Sequence, residues 1–242
     1  MILVIATSNR SKFREFCELL DLDGLTLRSL ADFPVLPLAE EPGTSFAENA
    51  WQKAACYHRR LQLAVVADDS GLEVDLLEGK PGILSARYAG PKASDSDNVQ
   101  KLLRELQEVT DRRQRSQLGA AGVGCDQPGL PGKLAPLQDR GASSCRLLSP
   151  ARFVCALSLF SCGQEQFAAE GTCEGFIIDR PRGSGGFGYD PVFFMPSEGR
   201  TMAELSAADK NRISHRGAAV SKLRGFLGET MLETDDKGSF RL

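Results

Sequence analysis

Short apolar runs and stretches of helical spacing alternate along the 242 residues, and that alternation predicts an α/β fold. Two stretches, ARFVCALSLF and QEQFAAEGTCEGFIID, flank the turn-like Ser161-Cys162-Gly163 and read as a β-hairpin. Composition agrees with a globular chain, at 42% hydrophobic and 25% charged residues.

The opening run Met1 to Ala6 is a strand buried on both faces. After Thr7-Ser8-Asn9, apolar Phe13, Phe16, Cys17 and Leu20 recur at i, i+3, i+4, i+7, so the strand enters an amphipathic helix through a tight polar loop. Ser45-x-x-Glu48 has the form of a capping box and opens a helix ending near Arg60. Leu63 to Ala67 is a further buried strand that leads into Asp68-Asp69-Ser70-Gly71. Because Leu72, Val74 and Leu76 then alternate with Glu73 and Asp75, the acidic pair is expected at a strand end or a break between two strands. Pro81-Gly82 marks a turn, and Val99, Leu102, Leu103 and Leu106 define a third helix. Beyond the hairpin, a glycine-rich loop from Arg182 to Gly188 precedes YDPVFF. Val220, Leu223, Phe226 and Leu227 place a last helix near the end, with fraying expected after Glu229.

One stretch breaks the alternation. Arg115 to Pro150 holds six glycines and four prolines in 36 residues and is expected to be a disordered insertion in an otherwise single domain spanning 1–242. A formal net charge of −3, from 29 basic and 32 acidic residues, argues against a protein built to coat nucleic acid or an anionic membrane. No apolar run reaches the roughly 20 residues a bilayer span needs, and the start lacks a charged leader. Seven cysteines with no CxxC pair, and only two histidines, disfavour a thiolate zinc site and a disulfide framework. Reduced thiols in a cytoplasmic protein are expected instead.

Four constellations could carry chemistry. Thr7-Ser8-Asn9-Arg10-Ser11-Lys12 sets hydroxyls, helix-start N–H groups and a cation where phosphate oxygens would be stabilised. Glu40-Glu41 and Asp68-Asp69 are carboxylates without His or Cys neighbours, a donor set suited to Mg²⁺. Gly183-x-Gly185-x-x-Gly188 matches a dinucleotide fingerprint, but Pro191 and the β-prone VFF follow where a helix should open. What remains is a loop presenting Phe187 as a stacking platform and Asp190 as an acceptor. Lys210, Ser214, His215 and Arg216 form a dense donor cluster suited to carbonyl or phosphate oxygens. A Ser-His hydrolase is disfavoured, since adjacent Ser214 and His215 face each other poorly.

Taken in order, TSNRSK, FAENAWQKA, ADDSGLEVD, PGILSARYAG, GGFGYDPVFF and KNRISHRG resemble the inosine triphosphate pyrophosphatase family. The resemblance implies a mixed α/β fold with a long twisted central sheet flanked by helices, two lobes with a nucleotide cleft between them, and a homodimer. It implies Mg²⁺-dependent hydrolysis of ITP, dITP and XTP to the monophosphate and pyrophosphate. Thr7, Ser8, Asn9, Arg10, Ser11, Lys12 and Lys53 would hold the triphosphate. Asp69 and an acid of the pair, Glu40 or Glu41, would hold Mg²⁺, and Asp69 would accept the proton of the attacking water. Ser70, Phe187, Gly188, Tyr189, Asp190, Lys210, His215 and Arg216 would line the nucleotide pocket, with Phe187 stacked on the purine. Against the family pattern, 115–150 interrupts a connection that is normally short. A Maf-type pyrophosphatase and a purine nucleotide sensor without turnover are the rival readings, to be separated by a substrate panel and by the water-activating acid.

Overall fold

The computed structural model describes residues 1–119 and 145–235. The helices are α1 (Arg10–Leu19), α2 (Phe46–Leu61), α3 (Asp95–Gly119), α4 (Ala207–Ile213) and α5 (His215–Asp235). The strands are β1 (Ile2–Ile5), β2 (Thr26–Ser29), β3 (Ala64–Val74), β4 (Leu147–Ser161), β5 (Gln164–Ile178), β6 (Phe193–Met195) and β7 (Arg200–Thr201). They form one seven-stranded sheet in the order β2-β1-β3-β4-β5-β6-β7. Strand β1 runs parallel to β2 and β3, while β6 is antiparallel to β5 and β7, so the sheet is mixed and the expected fold class holds. Cys162 and Gly163 both adopt positive φ, 50° and 80°, which is the two-residue geometry that turns β4 back into β5.

Among the described residues, two compact units form. Residues Met1–Gly71, Phe153–Cys173 and the chain from Ala208 onward make the first; Leu72–Arg152 and Glu174–Ala207 make the second. Strands β3, β4 and β5 each supply residues to both.

In the first unit, strand periodicity decides which helix covers which face. Leu3, Ile5 and Val66 pack with Phe16 and Leu20 of α1 and Val220, Leu223 and Leu227 of α5. Their neighbours Val4, Ala6, Val65 and Ala67 pack instead with Ala54 and Tyr57 of α2. Both faces of β1 and of the first part of β3 are therefore covered, which is why MILVIA and LAVVA read as unbroken apolar runs. In the second unit, Leu72, Val74, Leu102, Leu106, Ile177, Val192 and Phe193 are buried. There Ser85 accepts the Leu72 N–H at 2.8 Å and receives the Tyr189 hydroxyl on its carbonyl at 2.9 Å, which pins PGILSARYAG to both β3 and the glycine loop.

Several expectations are corrected. Strand β3 continues from Ala64 through Val74, so Asp68 and Asp69 lie inside a strand and not at its end or at a break. Neighbouring cations make those burials tolerable, as described below. Helix α3 extends to Gly119 and β4 begins at Leu147, so both ends of 115–150 belong to regular elements. The reason is local: eight of the ten glycines and prolines fall at 120–144, leaving Arg115 to Leu118 free to continue a helix. The residues at 120–144 lie outside the described residues. Helix α5 likewise runs past Glu229 to Asp235, since no glycine or proline intervenes; 236–242 lie outside the described residues. Half of the capping box forms: Ser45 accepts the Glu48 N–H at 3.2 Å, but the Glu48 carboxylate accepts from Thr44 N–H and Thr44 Oγ1 instead of Ser45.

Candidate functional site

The side-chain period of two sends adjacent residues of β3 to opposite faces. Asp68 therefore shares the α1/α5 face with Val66, and Asp69 shares the α2 face with Val65 and Ala67. Hydrogen bonds follow this division. Asp68 Oδ2 accepts Lys12 Nζ at 2.8 Å, Ser70 Oγ at 3.0 Å and Arg216 Nη2 at 3.4 Å. Asp69 Oδ2 accepts Asn49 Nδ2 of α2 at 3.0 Å. Lys53, one helical turn after Asn49 and so on the same face of α2, donates to the Asp68 carbonyl at 3.0 Å and pairs with Glu41 at 2.6 Å.

These contacts set the protonation states. Burial alone would raise the Asp68 carboxyl, but Lys12, Arg216 and Lys53 outweigh it and hold the group far below the ordinary carboxylate range. For Asp69 the balance reverses: burial raises it, and Lys53 with the Asn49 hydrogen bond offsets only part of that rise. Burial opposes the charge on Lys53, yet Asp68 and Glu41 prevail and lift its pKa, so the ammonium stays charged. His215 is buried and lies beside Arg216 and Lys210, which keeps its pKa well below the usual histidine value. Its ring stacks on Phe153 at 4.9 Å and 18°, and its Nδ1 has no hydrogen-bond partner among the described residues.

The opening loop departs from its expected role in one respect. Asn9 is the N-cap of α1, and its Oδ1 accepts the N–H groups of Ser11 and Lys12 at 2.9 and 3.1 Å. Those two donors are thus engaged by the cap and are not free for phosphate. Thr7 is buried, its hydroxyl accepting the Asn9 N–H at 3.1 Å, whereas Ser8, Asn9 and Arg10 are exposed. Thr7, Ser8, Glu41 and Lys53 line a cavity of about 280 Å³ whose remaining wall includes Leu36 and Leu38. Of the acidic pair, Glu41 faces this cavity and Glu40 is exposed.

Lys210 and Arg216 converge on one carboxylate, Glu15 of α1. Lys210 Nζ lies 3.3 Å from its Oε1, and Arg216 Nη1 bonds its Oε2. Glu15 and Asn49 were absent from the sequence-derived site. Their signal is spacing: Glu15 sits at i+3 from Lys12 and Asn49 at i−4 from Lys53, each on the face of its helix that carries the cation.

Phe187, Gly188, Tyr189 and Asp190 belong to the second unit. The loop is folded around a carboxylate: Asp190 is buried and its Oδ2 accepts the Phe187 N–H at 2.9 Å. Gly186 has φ +72°, and a Cβ there would fall 2.0 Å from that same oxygen, so the close approach requires glycine. The Gly188 N–H donates to Asp95 Oδ2 at 2.7 Å. A 3-10 turn at Asp190–Val192 and the strand β6 follow, which removes the dinucleotide fingerprint.

Among the described residues no helix is long and apolar enough to cross a membrane, and no cluster of three or more His, Cys, Asp or Glu forms a ready-made metal cage. Comparison with known proteins is direct. A dITP/XTP pyrophosphatase of Geobacillus kaustophilus is 45% identical over 221 residues, 91% of each chain. One from Geobacter sulfurreducens is 42% identical over 226 residues, covering 93% of this chain and 96% of its own. The structure of a HAM1 protein from Coxiella burnetii superposes with a TM-score of 0.73 at 35% identity, covering 95% of this chain and 99% of that one. The Staphylococcus aureus Ham1 protein does so with a TM-score of 0.70 at 34% identity, with the same coverage. The Ham1 family profile matches residues 3–130 and 134–226, and with these likenesses it establishes that the chain belongs to the Ham1 family.

Proposed function

We propose that this enzyme hydrolyses ITP, dITP and XTP to the nucleoside monophosphate and pyrophosphate, with Mg²⁺ held by Asp69 and Glu41. The observation that carries the reading is the contrast between two adjacent carboxylates. Asp68 is locked as an anion by three cations, while Asp69, on the other face of the strand, is raised by burial and accepts from two neutral donors, the Asn49 amide on Oδ2 and the Ser70 backbone N–H on Oδ1. A raised carboxylate is the better proton acceptor near neutral pH. Lys53 tethers Glu41 beside the cavity, and the donor set there is all oxygen, as Mg²⁺ prefers. Bound Mg²⁺ would neutralise phosphate charge and orient the triphosphate.

The chain's own residues do the rest. Lys53, Lys12 and the Thr7 and Ser8 hydroxyls hold the triphosphate, and Asp69 takes the proton of the water that splits the anhydride between the α- and β-phosphates. Little covalent help is needed, because positioning and charge neutralisation supply most of the acceleration in such transfers. His215, kept neutral and with an unpartnered Nδ1, reads the base together with Arg216 and Lys210. A 6-keto oxygen accepts from these donors; the 6-amino group of adenine would leave them unmatched, at about 1–3 kcal/mol per buried group. By family resemblance Phe187 supplies the stacking face. By family resemblance the reading includes a homodimer, and the described thiols fit the reducing cytoplasm.

The test is pyrophosphate release from ITP, dITP, XTP and ATP measured side by side, with Mg²⁺ and with EDTA. We expect ITP to exceed ATP by at least about tenfold in kcat/KM, one good hydrogen bond's worth of discrimination, and EDTA to abolish the reaction. Equal efficiency on ITP and ATP, or full activity in EDTA, would overturn the proposal.

A further inference from the structure

Asp68 has no place in the chemistry assigned above, yet it is 1% exposed and more heavily bonded than Asp69. A buried anion of this kind is costly unless cations compensate it. Its compensation comes from separate parts of the chain: Lys12 from the first turn of α1, Arg216 from the first turn of α5, and the Ser70 hydroxyl two residues along the same face of β3. All three donors converge on one atom, Oδ2. Lys53 adds a fourth tie to the backbone carbonyl of the same residue. The pattern continues outward, since Arg216 and Lys210 share Glu15. The result is a chain of alternating charge, Lys12–Asp68–Arg216–Glu15–Lys210, running from the phosphate-binding loop to the cluster assigned to the base.

We infer that Asp68 is a positioning residue that fixes Lys12 and Arg216 relative to one another, so that the triphosphate grip and base reading are set by a single buried carboxylate oxygen. It does not serve as the proton acceptor, because its Oδ2 is committed to three donors. Without its charge, Lys12 and Arg216 become two cations facing each other across a buried gap, and they separate. Glu15 still holds Arg216 to α1, but no shared acceptor then joins the Arg216 guanidinium to the Lys12 ammonium. This inference rests on the proposed function, and it deepens it by naming what couples the two ends of the nucleotide site.

Asp68→Asn keeps the shape and removes the charge. The parent and Asp68→Asn are compared for kcat and KM on ITP and on ATP. We expect kcat on ITP to fall at least about tenfold, and the ITP-to-ATP ratio of kcat/KM to fall at least about fivefold. A role confined to folding would reduce the active fraction and so lower both nucleotides equally, with KM and the ratio unchanged; that result overturns the inference. In a double-mutant cycle with Lys12→Met, the two substitutions should combine to less than the product of their separate effects, and a simple product overturns it. Should Asp68→Asn fail to fold, the Lys12→Met/Asp68→Asn double variant, which deletes the charges as a pair, is compared with Lys12→Met alone. There a lowered ITP-to-ATP ratio supports the inference and an unchanged one overturns it. A parent that cleaves ITP and ATP alike overturns the proposed function first, and this inference with it; a parent that discriminates beside an Asp68→Asn that discriminates equally overturns the inference alone.

Discussion

Asp68 and Asp69 share side-chain chemistry and nearly share a position, and the one-residue difference decides everything about them. Because the strand alternates, one carboxylate meets α1 and α5 and the other meets α2. Asp69→Asn should keep the fold, since an amide can still accept from Asn49, and should lower turnover at least about a hundredfold, the lower range for losing a general base. Turnover within a few-fold of the parent would remove Asp69 from the mechanism. His215 offers a test without substrate. Its folded pKa lies below its unfolded value, so the contribution of the neutral ring is complete above about pH 6.5 and is lost as pH falls, because the unfolded chain takes up a proton that the folded chain refuses. Chemical unfolding between pH 7 and 5 should show the parent losing up to about 1.4 kcal/mol per pH unit below the unfolded pKa from this group. His215→Phe, which can still stack on Phe153, should lack that slope. Equal pH dependence in the two proteins would mean that the imidazole titrates as freely in the fold as outside it.

At the scale of elements, the sequence was most legible where one periodicity runs unopposed. The β1-to-α1 step, α2 and the β4–β5 hairpin stand as their apolar spacing implies. It was least legible where a local rule met a tertiary compensation. Two acids argue for the end of a strand, yet β3 runs through them because Lys12, Arg216 and Lys53 lie across from it, and no spacing within β3 announces those partners. Glycine and proline density blurred the boundaries of 115–150 for a related reason: an average over 36 residues hides where the breakers sit. Of the first unit's motif residues, Lys12, Lys53, Asp68, Ser70, Lys210 and Arg216 are linked by hydrogen bonds and ion pairs, directly or through Glu15, while Glu15 and Asn49 each look like an ordinary polar helix position in the sequence. The Asn9 cap gives this scale its own prediction. Asn9→Ala removes the acceptor for two helix-start N–H groups and should cost about 1 kcal/mol of stability, with Asn9→Ser recovering most of it. Thermal unfolding of the three proteins checks this, and an unshifted Asn9→Ala would show that solvent satisfies those donors equally well.

For the whole molecule, the thiols report on how far the packing extends. Of the six described cysteines, Cys17 and Cys162 are exposed, Cys56 is half-buried, and Cys145, Cys155 and Cys173 are buried. Burial also pushes the Cys155 thiol up to about 11, with Asp68 adding to the rise against Arg216, so that little reactive thiolate forms even if reagent enters. Cys145 lies in the second unit and Cys155 and Cys173 in the first, yet β4 and β5 run through both. Strands that belong to two cores cannot leave one without fraying the other, so the units should open together. In a Cys125→Ser background, an aromatic disulfide reagent should label Cys17 and Cys162 promptly. The three buried thiols should react at least about a thousandfold more slowly, as expected when labelling awaits global unfolding of a domain of ordinary stability. Mass mapping during a denaturant series should then show Cys145, Cys155 and Cys173 gaining label over one common transition. Separate midpoints, with Cys145 labelled while Cys155 and Cys173 remain protected, would show that the second unit melts on its own and that the shared strands do not bind the two cores into one cooperative fold.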